Sequence, residues 1–516
     1  MVLAVRERNT RLGFLSAAIL VGSAFGGFAQ EVRLVNEAAG INITGTFVSA
    51  NQQSYVIDSA LGRLNVSREN TNCVGAACPT AEGFEFDLLF AGTDSIVNSL
   101  LPVVIDGYAA GYDASVMVTN DFVRLLETDN QALANVSLDV ATPTESFEWL
   151  ADGVVDVIFT DETPNRDQRA MIESAGGGNL RSFERERILA VSGLVVLIHP
   201  DNAVPFVTQE QIAAILSGAT VNWADVGGPD APITIYALSE MAEVSGVVAR
   251  HILNPNNVSL GASVNILASA DDIEAAVAND PNGLAVVRFD AGTSAGMLPI
   301  QTSCGGVVSP SEFTLKAEEY PLSDRIFAYS HLLQGEFGRA FVDFLDDSKL
   351  DSFVAQSDFV DLSLITQDQT DRIATIEAAM LDDGDSYEVS LMADLADQMS
   401  DFERASTTLR FRGSSDALDN RGQRDLQRIR GYALDNDIET IALVGYTDGQ
   451  GDFDANLRIA EDRAQIVADE LRRSGRSRAF DDIEITVQGF GSLNPVACND
   501  SAQGRAANRR VEVWFN

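Results

Sequence analysis

Short apolar runs alternate with stretches of helical period along most of this 516-residue chain. That alternation constrains the fold more than any other feature. Strands separated by helix-length crossovers pair in parallel, and such a sheet needs helices on its faces. Residues 84–90, 154–159 and 189–198 read as buried strands. Residues 95–109 read as a helix with Ile96, Leu100, Val103 and Val104 along one stripe, and 208–216 as another with Thr208 as cap. The pattern returns after residue 401, with strands expected at 407–411, Thr440–Gly445, 483–489 and Arg510–Phe515 and helices between them. Two segments depart from it. Residues 30–80 hold short β-rich pieces at 44–48, 54–57 and 62–66, separated by Asn, Gln, Ser and Gly, and read as a small β unit. Residues 366–401 read as an acidic, solvated helical linker. It is broken at Asp382-Asp383-Gly384-Asp385, a run without the following ligand spacing of a calcium loop. The expected architecture is α/β and multidomain: a β unit at 30–80, an α/β domain at 84–365, the linker, and an α/β domain at 402–516.

Charge excludes one class of function. Lys plus Arg is 35 against 76 Asp plus Glu, a net charge of −41, which repels phosphate backbones and anionic headgroups. No nucleic-acid partner is expected. Residues 401–516 carry 16 Arg and 20 acids, or 16 − 20 = −4, so everything before them carries −41 + 4 = −37. Two differently composed halves point to two differently employed halves.

The N-terminus reads as a secretory signal peptide over 1–29. Arg6, Arg8 and Arg11 precede an uncharged apolar run at 14–28, and Gly27 and Ala29 stand at the −3 and −1 positions of a cleavage site. The run falls short of the roughly 20 residues that span a bilayer. No Cys lies near the cut, so lipidation is not expected, and no later stretch reaches 18 apolar residues. The mature chain is expected outside the cytoplasm, without a transmembrane span. Four cysteines suit an oxidising compartment. Cys73 and Cys78 flank Val-Gly-Ala-Ala and are expected to close a local disulfide. A zinc site lacks partner ligands, since His199, His251 and His331 are scattered. Cys304 and Cys498 are either free or bridged between domains, and the sequence leaves both open.

The sharpest motifs lie near the end of the chain. Gly445-Tyr446-Thr447-Asp448 closes an apolar strand. Asn456-Leu457-Arg458-Ile459-Ala460-Glu461-Asp462-Arg463-Ala464 opens a helix, and Gly504-Arg505-Ala506-Ala507-Asn508-Arg509-Arg510-Val511-Glu512-Val513 precedes the end. In this order the three resemble the peptidoglycan-binding domain of the outer-membrane protein A family, over about 402–516. The resemblance implies a grip on the diaminopimelate of the peptidoglycan stem peptide, and a place in the periplasm against the wall or outer membrane. The ligand end is a zwitterion. A carboxylate at a strand end accepts from its ammonium, and a guanidinium takes its carboxylate bidentately, which Lys does less well. Asp448 and Arg463 match the family's ligand-binding Asp and Arg, Asn456 the Asn that begins its helix motif, and Arg509 the second-to-last Arg of its tail motif. The family usually has Leu-Ser where this chain has Ile459-Ala460.

The middle of the chain carries a second resemblance. Residues 189–202, Thr208-Gln209-Glu210-Gln211-Ile212, Asn222-Trp223-Ala224-Asp225-Val226-Gly227-Gly228-Pro229-Asp230, Asp280-Pro281-Asn282-Gly283-Leu284-Ala285 and Tyr320-Pro321-Leu322 together resemble the phosphate-binding receptors of ABC importers, over about 84–365. The resemblance implies a two-lobed periplasmic-binding-protein fold that closes on an anion through backbone N–H groups, hydroxyls and an Arg. The candidate anion-binding residues are Thr93, Asp94 and Ser95 in a first loop, Thr160 in a second, and Ser245 and Gly246 in a third. The second loop, Thr160-Asp161-Glu162-Thr163, holds two acids. In the third, counting puts Leu238 where the family has Arg and Ala242-Glu243-Val244 where it has Ser-Gly-Thr. A carboxylate at an anion site repels its ligand, so the phosphate site reads as degenerate.

The chain thus reads as a non-enzymatic envelope protein that holds peptidoglycan and displays a solute-binding domain. The alternative is a receptor for phosphate or another oxyanion that serves an ABC permease. An enzyme is disfavoured, because no Gly-x-Ser-x-Gly elbow, His-Glu-x-x-His helix or phosphate loop occurs, and His199 reads as a packed or surface histidine. No cofactor or metal is expected.

Overall fold

The computed structural model describes residues 31–516 except 37–40, 51–53, 61, 68–70, 75–86, 119–122, 127–131, 240–242, 291, 332–335, 383–385, 413–416 and 474–477. The expected signal peptide lies outside the described residues. The chain forms two compact units: one runs up to Glu186 and includes Ala328–Leu350, the other is Arg187–Phe327 with Asp351–Asn516.

The first unit begins with the expected β unit. Its strands are ordered Gly62–Ser67, Ser54–Ser59, Ile41–Ala50, Glu31–Asn36, Asn72–Val74, all antiparallel. Alternation puts Val32, Leu34, Tyr55, Ile57 and Val66 into one small core. A second sheet runs Val157–Thr160, Asp87–Gly92, Ala132–Val140, Val123–Leu126, Ser115–Val118. Its first three strands are parallel, as the apolar runs at 84–90 and 154–159 lead one to expect; Ala132–Val140, which interleaves Asn, Ser and Asp with apolar residues, is an unforeseen strand. Helix Leu101–Ala110 buries Leu101, Val104, Ile105 and Tyr108.

The second unit holds a sheet ordered Val264–Leu267, Thr234–Leu238, Gly283–Arg288, Glu186–Ile198. Helix Gln209–Leu216 opens on the expected Thr208, whose Oγ1 accepts from Gln211 N at 3.2 Å while Gln211 Oε1 accepts from Thr208 N at 2.9 Å. The C-terminal sheet is ordered Thr366–Gln367, Glu403–Arg410, Arg510–Phe515, Thr440–Gly445, Glu484–Gly489. One face packs on helices Asn420–Asp435 and Phe453–Arg473 through Leu426, Ile429, Ala464, Val467 and Leu471.

The other face corrects the reading of 366–401. Helices Thr370–Asp382 and Ser386–Ser400 exist, but they are part of the domain rather than a solvated linker. Ile376, Leu395, Ala396 and Met399 are buried against Ala442, Val444, Tyr446 and Trp514 of the sheet. Asp371, Glu377, Asp394 and Asp397 of these helices are exposed, and in the sequence they mask the narrow apolar stripe.

Arginines explain the uneven charge. Arg404 pairs with Glu319, Arg410 and Arg421 with Glu318, and Arg428 with Asp351 at 2.9 Å. Each joins the C-terminal sheet domain to an acid outside it. In return Arg325 reaches Asp419 at 2.9 Å. A disulfide joins Cys304 to Cys498, which settles the pairing the sequence left open. Cys73 is disulfide-bonded, and Cys78, its expected partner, lies outside the described residues.

Candidate functional site

Two glycines set the position of the C-terminal motif. A Cβ at Gly445 would meet the Ala460 carbonyl oxygen at 1.9 Å, and one at Gly489 would meet Glu461 N at 2.4 Å. Helix Phe453–Arg473 therefore lies directly on strands Thr440–Gly445 and Glu484–Gly489, with Ala460 fully buried. This close approach is met by Ala at 460. The helix begins three residues before Asn456, with Asp452 Oδ1 accepting from Ala455 N at 3.0 Å.

The strand end then delivers Asp448. Thr447 N donates to the Gly491 carbonyl at 2.7 Å, and Asp448 follows at the start of a turn. Asp448 Oδ1 accepts from Gln450 N at 3.1 Å, and Oδ2 accepts from Arg509 Nη1 at 2.7 Å. Asn456 is buried, and its Nδ2 donates to the Gln450 carbonyl at 3.0 Å. Three of the four expected residues thus converge on one turn. The fourth, Arg463, stands seven residues along the helix from Asn456, on the same face about 10 Å further on. Its guanidinium lies over the Phe411 ring, 5.5 Å from the centroid. The described partners of Asp448 are Arg509 and the Gln450 amide, and Arg463 is not among them.

Sequence reasoning missed the support of this turn. Gly449 N donates to Asn499 Oδ1 at 3.0 Å. Asn508, fully buried, accepts from Val496 N and Ala497 N at 2.9 and 3.0 Å, and its Nδ2 donates to Asn499 Oδ1 at 3.0 Å. Asn508 stood inside a quoted motif, but Asn499 carried no signal.

Behind the site lies a buried charge cluster. Glu512 and Arg510 are fully buried and pair at 2.8 Å. Glu512 also takes Arg372 at 3.0 Å, Arg404 at 3.2 Å and the Trp514 indole N–H at 3.0 Å. Burial works to raise the Glu512 carboxyl, but the guanidiniums of Arg372, Arg404 and Arg510 outweigh it and hold it well below the usual carboxylate range. Arg510 stacks on Tyr446 at 4.0 Å, which ties the cluster to the strand carrying Asp448.

The anion-site candidates fall into two groups, one in each unit. In the first unit, Asp87–Gly92 and Val157–Thr160 are neighbouring parallel strands, so Thr93–Ser95 and Thr160 sit together at their carboxyl ends. Thr93 is buried and its carbonyl accepts from Val97 N at 2.9 Å. Asp94 Oδ1 accepts from Asn98 Nδ2 at 2.9 Å, and fully buried Thr160 accepts from Glu162 N at 3.1 Å. In the second unit, Ser245 and Gly246 lie in helix Glu243–Val248, with the Ser245 hydroxyl donating to the Ser239 carbonyl at 2.9 Å. Leu238 ends strand Thr234–Leu238. Residues 240–242 and the Glu243 side chain lie outside the description.

Comparison with known proteins gives two family matches. Residues 80–348 match the PBP superfamily domain, and residues 410–509 match the OmpA family. The chain is 36% identical to the probable lipoprotein YiaD of Escherichia coli over 106 residues, 20% of this chain and 47% of that protein. It is 43% identical over 76 residues to the peptidoglycan-binding protein ArfA of Mycobacterium bovis, 15% of this chain and 22% of that protein. It is 21% identical over 218 residues to the phosphate-binding protein PstS of Bacillus subtilis, 41% of this chain and 65% of that protein. The chain spans about half the length of the first curated relatives it matches. Among the described residues no helix is long and apolar enough to cross a membrane. By its longest match, which covers just over half its length, the chain belongs to the PBP superfamily, and it carries an OmpA-family domain at its C-terminal end.

Proposed function

We propose that this is a non-enzymatic, periplasmic protein that binds the diaminopimelate of peptidoglycan through its C-terminal domain and displays a solute-binding domain whose phosphate site is degenerate. The observation that carries the reading is the turn at Asp448. A carboxylate sits at a strand end beside Arg509, with Asn456 fixing the turn and Arg463 two helical turns away. The ligand ammonium goes to Asp448, and the ligand carboxylate to guanidinium. ArfA, whose name describes peptidoglycan binding, is 43% identical to this chain over 76 residues.

Sedimentation of the full chain with purified peptidoglycan tests this. Diaminopimelate-type wall should carry the protein down. Lysine-type wall, which has the ammonium but no side-chain carboxylate, should not. Equal sedimentation with both would count against the zwitterion grip.

A second reading keeps an anion receptor that serves a permease. It is favoured by the hydroxyls of Thr93, Ser95 and Thr160 gathered at adjacent strand ends. Leu238 in the place of the family's Arg weighs against it.

A further inference from the structure

The turn that carries Asp448 is held from outside its own strand. Gly449 and Gly451 (φ +98°) flank Gln450, so the turn has much backbone freedom to lose. It is ordered by Asn499, whose Oδ1 accepts from Gly449 N at 3.0 Å. A Cβ at Gly449 would come within 2.8 Å of Asn499 Nδ2, so the two residues also touch. Asn499 is fixed by Asn508 Nδ2 at 3.0 Å and by Arg505 Nη1, which donates to its carbonyl at 2.8 Å.

Both chain neighbours of Asn499 are clamped to another domain. Cys498 is disulfide-bonded to Cys304, and the Asp500 carboxylate accepts from Ser303 Oγ at 2.7 Å. Ser303 and Cys304 lie in the turn between strands Ile300–Gln301 and Val307–Val308, within the solute-binding domain. That turn is itself braced, with Thr302 N and Oγ1 donating to the Gly306 carbonyl at 2.8 and 3.0 Å.

We propose that residues 303–304 of the solute-binding domain are a working part of the wall-binding site, acting through the Cys304–Cys498 and Ser303–Asp500 clamp on Asn499. Asn499 is a positioning residue: it orders the Asp448 turn before ligand arrives, and so removes an ordering cost from binding. The inference rests on the assignment of Asp448 to the ligand ammonium.

The test uses the full oxidised chain and a soluble diaminopimelate-containing stem peptide, with affinity and amide hydrogen exchange of residues 448–451 as readouts. The double substitution Cys304→Ala with Cys498→Ala, and separately Asn499→Ala, should each weaken binding about 5- to 20-fold. Both should speed exchange in the turn and leave strand Thr440–Gly445 protected. Asn499→Asp keeps the acceptor for Gly449 N and should bind within about threefold of the parent. If the cysteine variant unfolds, Ser303→Ala, which removes the hydrogen bond to Asp500, carries the test of the clamp. It should weaken binding and speed turn exchange in the same direction as Asn499→Ala, and parent values for both readouts would overturn the part given to residues 303–304. Parent affinity and unchanged turn exchange in Asn499→Ala would overturn the clamp alone. Failure of the unsubstituted chain to bind the peptide would overturn the wall-binding reading and this inference with it.

Discussion

Arg509 Nη1 lies 2.7 Å from Asp448 Oδ2, so the carboxylate proposed to take a ligand ammonium already has a cation of its own. An incoming ammonium must share it, and the displaced guanidinium is then placed for the ligand carboxylate. The two effects oppose one another. The pair is also partly exposed, and such pairs contribute on the order of 0.2–1 kcal/mol. Arg509→Ala should therefore leave peptidoglycan-peptide affinity within about tenfold of the parent. Loss of all binding in a calorimetric titration would make Arg509 the principal cation of the site.

The Glu512 cluster makes stability depend on acid pH. Its folded carboxyl is held well below the usual range, so its contribution is fully present above the unfolded value of about 4.3. It is lost as pH falls through the folded value. The melting temperature should be flat from about pH 7 to 5 and fall below that. Glu512→Gln leaves the guanidiniums of Arg372 and Arg510 without their buried counter-charge and Arg404 with Glu319 alone. It should cost about 3–5 kcal/mol near neutral pH, read by denaturant unfolding. A loss below about 1 kcal/mol would show the cluster to be solvated.

Helices Thr370–Asp382 and Ser386–Ser400 set the boundary of the C-terminal domain. A fragment of 402–516 exposes the sheet face lined by Ala442, Val444, Tyr446 and Trp514, whereas 366–516 covers it. Each large buried side chain such as Ile376, Leu395 or Met399 contributes roughly 1.5–3 kcal/mol. The longer fragment should melt higher, and the shorter should bind a hydrophobic dye. Equal melting would make the helices dispensable.

The solute-binding domain should bind inorganic phosphate more weakly than about 0.1 mM, or not at all. Leu238, at the end of strand Thr234–Leu238, offers a dianion nothing, and the Ser245 hydroxyl donates to the Ser239 carbonyl. Loss of one charge-assisted partner typically costs roughly 2–5 kcal/mol. A micromolar dissociation constant by calorimetry would instead support the receptor reading.

Much of this was legible in the sequence, for physical reasons. Thr440–Gly445 and Arg510–Phe515 are continuous apolar or β-rich runs between turn residues, and the strands form there. Thr208 capped its helix as its spacing to Gln211 required. What failed depended on partners far away in the chain. The stripe Ile376, Leu395, Met399 is too narrow to stand out among acids until the sheet it covers is known. Cys304 and Cys498 lie 194 residues apart, and no local pattern couples them. Asn499 positions a turn fifty residues away by one side-chain oxygen, which leaves no periodicity to read.

The most direct test of the account is a binding titration of the full chain with diaminopimelate-type peptidoglycan, comparing the parent with Asp448→Ala and Arg463→Ala. Asp448→Ala leaves the ligand ammonium without its carboxylate, and Arg463→Ala leaves the ligand carboxylate without its principal guanidinium, each at a cost of roughly 2–5 kcal/mol, or about 30- to 4,000-fold in affinity. The account predicts that each variant stays in the supernatant under conditions that sediment the parent, with a melting temperature within a few degrees of the parent's. Full sedimentation of both variants would contradict it.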